Sequence, residues 1–492
     1  MSHYDQLRVA FERIYRFEHV QAIIGWDHAA VMPPHGADAR AAAMGEVAAL
    51  IHRLRTAPEL TGWLDGAAKE SLDDHARANL REMRRSWRNA NAVPEELVTA
   101  QVTASSKCEH AWRTQRPAND WAGFVANLRE VVALARREAT LLAEQSGLSK
   151  YDALMDKFEP GMRSADVDRL FGAMRLWLPD LIQRVRAKQA SETTVAPVGP
   201  FSIPAQRALC EREMKLLSFD FDGGRLDVSA HPFSGGVAED VRLTTRYTTD
   251  DFERSLMGTI HETGHGRYEQ SRPRAWLGQP ISEARSMAIH ESQSLSFEMQ
   301  LGRSRAFVGL LAPMLGEAFG AQPAFEPDNV FKLFTRVIPG FIRVDADEVT
   351  YPAHVILRYE IERALIEGDI EVADIPSLWD DKMKRLLDLD TRGNFTDGPM
   401  QDIHWPSGTF GYFPSYTLGA MYAAQWFATM RRARPTLDAD IARGDLAVVF
   451  DWLRDHIWSA ASRYDTDELT RRASGASLDP DHLRRHLEAR YL

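Results

Sequence analysis

The sequence predicts a mainly α-helical fold with one small β-sheet set beside a central helix. Apolar residues recur at helical spacing through most of the first two hundred positions, with no alternation of strand and helix units. Period-two alternation is convincing only at 225–230 and 240–247, just ahead of that helix. By the usual length prior 492 residues could hold two or three domains, and the 44% that are hydrophobic are ample for a large core.

Composition narrows the function classes. A net charge of −11 argues against nucleic acid or an anionic membrane as the main partner, and soluble small substrates fit better. No run of eighteen apolar residues occurs, and the opening MSHYDQLRVAFERIYRFEH is charged and amphipathic, without a signal-peptide core. A cytoplasmic protein is expected. Cys108 and Cys210 alone make neither a disulfide framework nor a cysteine-rich metal site.

Taken in order, helices are expected near 4–24, 37–55, 72–89, 95–113, 119–145 and 164–190, with breaks at Pro33-Pro34-His35-Gly36, Pro94, Pro117 and Glu159-Pro160-Gly161. Arg81, Arg84, Arg85 and Arg88 share one face of the third and read as a solvated face. The stretch 187–205 is the one linker-like segment, separating a helical covering half, 1–190, from a second half, 206–492. The two strands flank His231-Pro232-Phe233-Ser234-Gly235-Gly236 and read as a hairpin or small sheet. Alternation in the second sends Val241, Leu243 and Thr245 one way and Asp240, Arg242 and Thr244 the other. Arg242 there either serves a substrate backbone lying along the strand or holds Asp240.

The central helix, 250–270, contains His261-Glu262-Thr263-Gly264-His265. Four residues put the two imidazoles one turn apart on one face, where both can grip a single ion, and the spacing suits zinc. Glu262 points to the flank of that face, able to take a proton from an activated water without ligating the metal. Asp250 and Glu253 are expected to form a capping box, and Phe252, Leu256, Met257 and Ile260 an apolar stripe that buries the helix. A hydrolytic zinc site needs a third protein ligand. Glu269 lies too far along the same helix, which leaves Glu283, Glu291 and Glu298 on a next helix expected over 282–302. Glu291 stands in the polar run His290-Glu291-Ser292-Gln293-Ser294 of an otherwise apolar helix, and a buried carboxylate with a cation partner would account for that run. Further on, Ile342-Arg343-Val344-Asp345-Ala346-Asp347 precedes a helix ending at Gly368, with Asp347 as its expected N-cap. The loop Gly398-Pro399-Met400-Gln401-Asp402-Ile403-His404-Trp405, with Tyr412 and Tyr416 after it, reads as a polar pocket wall.

In these motifs the chain resembles the carboxypeptidase Taq family of zinc metallocarboxypeptidases. The marks occur in order: His231-Pro232-Phe233; Asp240, Arg242 and Thr244; the helix motif at 261–265; His290-Glu291-Ser292-Gln293; Ile342 to Asp347; and Gly398 to Trp405. Gly25-Trp26-Asp27, Met32-Pro33-Pro34, Tyr151-Asp152-Ala153-Leu154 and Glu159-Pro160-Gly161 extend the likeness over essentially the whole chain. The resemblance implies one gluzincin-like catalytic unit over 1–492 with a deep groove, usually a homodimer, that removes single residues from peptide C-termini with broad specificity. It implies Zn²⁺ on His261, His265 and Glu291, with Co²⁺ or another divalent ion as substitutes, and Glu262 as general base. His231, Arg242, Arg343 and Gln401 would line the groove for substrate, and His404 with Tyr412 or Tyr416 would assist catalysis. An endopeptidase or dipeptidyl carboxypeptidase on a related scaffold would share the zinc helix, and groove length would separate them. A peptide-binding protein without turnover is disfavoured by the intact Glu262.

Overall fold

The structure, a computed structural model, describes residues 1–229 and 232–492, with Pro34 described by its backbone alone. Ahead of the sheet the expected helices stand at His3–Ala30, Ala37–Arg55, Asp74–Ala92, Glu95–Gln115, Trp121–Ser146 and Ser164–Gln189, each within a few residues of its reading except the first, which runs six residues further. Short helices at Glu59–Ala67 and Lys150–Met155 were not anticipated, being too short to show a period. Of the basic face, Arg81 and Arg85 pair with Glu82, and Arg84 with Asp65.

The two expected strands do not form a hairpin with each other. β1 (Gly224–Val228) lies parallel to β3 (Asp240–Thr245), and β2 (Ser234–Val237) returns antiparallel on the other side of β3, giving the order β1-β3-β2. The glycine pair allows this return. Gly236 has φ +85°, and a Cβ there would stand 2.0 Å from the Asp240 carbonyl oxygen. Thr244 departs from the expected ionic face: it is fully buried, with its hydroxyl bonded to Ser229 Oγ at 2.8 Å and accepting from Phe233 N at 2.9 Å.

The helix after the sheet spans Glu253–Gln270. Its expected capping box is replaced, because Asp251 rather than Asp250 accepts from the backbone of Glu253 at 2.7 Å, and Glu253 turns to Arg303 at 3.3 Å. The apolar stripe is buried as expected, with Phe252, Leu256, Met257 and Ile260 all below 5% exposed. The next helix begins at Met287, not at 282, because Ser286 Oγ caps it by accepting from Ile289 N. After Leu295 it widens into a π-helix over Ser296–Gly302, and Glu283 is left ahead of the helix. Asp347 caps the turn before Tyr351–Glu367, bonding Val349 N and Thr350 N at 3.0 Å, and Gly368 ends that helix at φ +94°.

One hydrophobic core runs from Val93 to Tyr491 and draws on both sides of the 187–205 stretch. A smaller core packs the first three helices on Leu80 and Met83, and a third lies beneath the sheet around Cys210, Phe219, Leu226 and Leu243. Each fully buried leucine or phenylalanine in these cores contributes about 1.5–3 kcal/mol.

Candidate metal centre

Burial of Leu256 and Ile260 fixes the rotation of helix Glu253–Gln270, so His261 and His265 face helix Met287–Leu295 with ring centroids 5.0 Å apart. Two glycines set how closely the backbones approach. A Cβ on Gly264 would lie 2.5 Å from the Gln293 carbonyl oxygen, and one on Gly419, in helix Pro414–Ala433, 2.7 Å from Glu291 Cγ. Glu291 is thereby pressed between the imidazoles, its carboxylate 3.4 Å from His265 Nε2 and 4.0 Å from His261 Nε2. One ligand atom from each of His261, His265 and Glu291 lies within 4.8 Å of the others.

Each imidazole is held from behind through Nδ1. His261 Nδ1 meets Glu298 Oε2 at 3.0 Å; His265 Nδ1 meets His290 Nδ1 at 2.6 Å, and His290 Nε2 meets Glu269 Oε1 at 2.9 Å. Donation through Nδ1 leaves the Nε2 lone pairs converging on the Glu291 carboxylate, the donor set and backing of a divalent-metal site. Burial works against a charged His261, but the Glu298 bond and the carboxylates of Glu291 and Glu262 outweigh it and raise its pKa to about 10. Burial lowers His265 to about 4, against the pull of Glu291. Glu262 is raised to about 7, by burial first and then by Glu291, and among the described residues its buried Oε2 has no hydrogen-bond partner. A cation between the imidazoles would relieve both, so the residues fit the ion.

Beside this cluster stand the late residues. His404 Nε2 meets Tyr416 Oη at 3.0 Å, its Nδ1 is buried without a partner among the described residues, and burial with nearby Arg343 lowers its pKa to about 3. Tyr412 packs 5.2 Å from Tyr416, and the charges of Glu291 and Glu262 bear on Tyr416. Arg343 is 5% exposed with its guanidinium 4.6 Å over the Tyr416 ring. Its Nη2 and Nε bond Asp402 at 2.8 and 3.2 Å and its Nη1 bonds Tyr351 Oη at 3.2 Å. Five N–H less these three leaves two, one on each Nη. Gln401 is engaged on both sides of its amide: the oxygen accepts from Arg343 N at 2.7 Å, and the nitrogen donates to the carbonyls of Phe341 and Asp397. Arg242 makes a two-pronged pair with Asp240 at 3.0 and 2.7 Å and lies 4.8 Å over the Trp26 ring. Among the described residues no hydrogen bond joins Arg242 to the cluster. His231 lies outside the described residues.

Several positioning residues escaped the sequence reading. Glu159 Oε1 accepts from Ala288 N at 2.5 Å and Ser415 Oγ at 2.7 Å, bracing both helices that enclose Glu291. Glu362 takes Gly411 N, Trp405 Nε1 and Tyr151 Oη, fixing the loop that carries His404. Arg358 pairs with Asp402 at 2.6 Å. A charged residue inside the apolar run Ala353-His354-Val355-Ile356-Leu357-Arg358 was the available signal.

The fold and centre define a class: a mainly helical metallohydrolase with its metal motif on one helix and its carboxylate on the next. The chain belongs to the carboxypeptidase Taq (M32) metallopeptidase family, whose model matches residues 6–491, and it is a metallocarboxypeptidase. It is 35% identical over 483 residues to thermostable carboxypeptidase 1 of Thermus thermophilus, covering 96% of this chain and 94% of that one. To thermostable carboxypeptidase 1 of Pyrococcus furiosus it is 34% identical over 499 residues, covering 99% and 98%. The solved metallocarboxypeptidase 1 of Trypanosoma cruzi superposes with a TM-score of 0.97 at 48% identity, over 99% of both chains.

Proposed function

We propose that this metallocarboxypeptidase releases single amino acids from peptides with a free C-terminal carboxylate, with broad side-chain tolerance, as one catalytic unit over 1–492. His261, His265 and Glu291 hold the ion, and two imidazoles with one carboxylate suit Zn²⁺. When bound, that ion supplies a Lewis acid for water and for the scissile carbonyl. The unpartnered Oε2 of Glu262 accepts the proton of the attacking water and returns it to the leaving amine. Tyr416, bonded to His404, offers an O–H donor for the developing oxyanion, with Tyr412 packed against it. Arg343 turns its two remaining N–H toward the terminal carboxylate, which matches a guanidinium fork better than an ammonium. Gln401 holds the backbone of Arg343 rather than substrate, and Arg242 steadies the sheet through Asp240.

The observation that carries this reading is the spare fork of a buried arginine beside a three-ligand cluster and an unpartnered glutamate. The experiment compares an N-blocked peptide bearing a free C-terminus with its C-amidated twin, with and without chelator, by product mass. Stepwise loss of one residue from the free end, arrested by chelator, is expected. Internal fragments or two-residue steps would replace the reading with an endopeptidase or a dipeptidyl carboxypeptidase, and metal analysis decides zinc.

A further inference from the structure

The cluster behind Arg343 carries one more positive charge than negative. Asp402 is shared, its Oδ1 accepting from Arg343 Nη2 at 2.8 Å and its Oδ2 from Arg358 Nε at 2.6 Å. Both arginines are buried, at 5% and 1% exposure. Arg358 donates Nη1 to the His354 carbonyl at 2.8 Å, stacks 4.6 Å over Trp379, and leaves Nη2 buried without a partner among the described residues. Neighbouring His354 and His404 add no charge, because burial and the same two guanidinia hold both imidazoles neutral. Among the described residues no other carboxylate pairs with either arginine.

An unmatched buried charge is costly unless something compensates it. Asp402 alone with Arg343 would fix the fork's direction but make a neutral pair, with little pull on an anion. Arg343 without Asp402 would be charged but free to swing, and would lose entropy on binding. The second arginine resolves both. We propose that Arg358 is a specificity-determining residue that never touches substrate: it matches the charge of Asp402, so that Arg343 stays oriented and still one charge short of neutral, and the anion that completes the centre is the terminal carboxylate. This rests on Arg343 being the carboxylate anchor.

The test is a charge swap. Arg358→Met is expected to raise KM for a free-carboxylate peptide about tenfold, with kcat changed less than about threefold and the preference over the amidated twin collapsing. Arg358→Met/Asp402→Asn restores the net positive charge but not the fixed direction of the fork, and is expected to regain part of the preference; metal content and melting temperature are followed in each. Arg358→Lys keeps the charge but not the planar fork, so it should stay within about threefold of the parent. A double variant that regains nothing while melting like the single one, or a lysine variant as impaired as methionine, would make Arg358 a structural clamp and overturn the proposal. If Arg358→Met does not fold, the lysine variant alone decides. Arg343→Ala separates the two readings: loss confined to free-carboxylate substrates keeps the anchor even if Arg358 fails, whereas equal loss on both substrates removes the anchor and this inference together.

Discussion

Among the described residues Glu262 keeps one buried oxygen without a partner while both neighbouring imidazoles are braced, and in the proposed mechanism that difference separates a base from a ligand. Glu262→Gln is therefore expected to retain about one ion per chain while hydrolysis falls by several orders of magnitude, checked by metal analysis beside a peptidase assay. Loss of the ion in that variant would make Glu262 a ligand. Glu291→Ala should strip most of the metal, whereas Glu283→Ala should not, since Glu283 pairs with Arg272 at 3.1 Å. The relay from His265 through His290 to Glu269 has its own consequence: Glu269→Gln should weaken metal affinity about tenfold or more, measured by chelator competition. An unchanged dissociation constant would show that the relay does not orient His265. At this scale the helix motif was legible from spacing alone, because helix geometry fixes where residues four apart point. The partners of Arg343 were not. Asp345 and Asp347 are the acids nearest to it in sequence, but Asp402, 59 positions away, closes the pair, and nothing in local sequence fixes so distant a contact.

At the scale of elements, the centre depends on how closely three helices pack. Gly264 sits inside the metal motif, where a methyl would meet the Gln293 carbonyl oxygen at 2.5 Å and Ser294 Cα at 2.6 Å, both backbone and unable to rotate away. Gly264→Ala must part helices Glu253–Gln270 and Met287–Leu295, at a cost of about 1–3 kcal/mol, and move Glu291 away from the imidazoles. A lower melting temperature together with faster metal loss to chelator is expected. A variant that holds metal like the parent would show that the helices absorb the methyl without shifting the site. Helix positions were legible from apolar spacing, but helix starts were not. The beginning at Met287 and the widening at Ser296 depend on Ser286 and on tertiary packing around Glu298 and Arg303 rather than on local pattern. The parallel pairing of β1 with β3 was equally hidden, since alternation marks a strand but not its neighbour.

Across the whole molecule, the first two hundred residues also build the site's supports. Glu159 braces Ala288 and Ser415, Tyr151 reaches Glu362, and Trp112 donates to the Met400 carbonyl at 2.6 Å. The motif stretches around Tyr151 and Glu159 thus hold, from outside, the helices around Glu291 and the loop that carries His404, a role that only the assembled core reveals. That core also buries acids that have no place in the proposed mechanism. Glu213, in helix Ile203–Leu216, is fully buried, with neither oxygen hydrogen-bonded among the described residues, and burial raises its pKa to about 8 against the pull of Arg212. An unfolded glutamate titrates near 4.3, about four units lower. Between those values the folded chain holds a proton that the unfolded chain has released, so stability falls as pH rises, at about 1.4 kcal/mol per unit in mid-window, and levels off above the folded value. Glu213→Gln removes that slope while keeping the neutral shape. At equal metal loading, the variant should melt close to the parent at low pH and progressively above it as pH rises toward 8. Glu159 and Glu362, both raised to about 7 by burial, leave their own slope in both proteins, so the difference between the two melting curves is the measurement. A difference that stays constant with pH would mean that Glu213 reaches solvent or an unrecognised partner when it ionises.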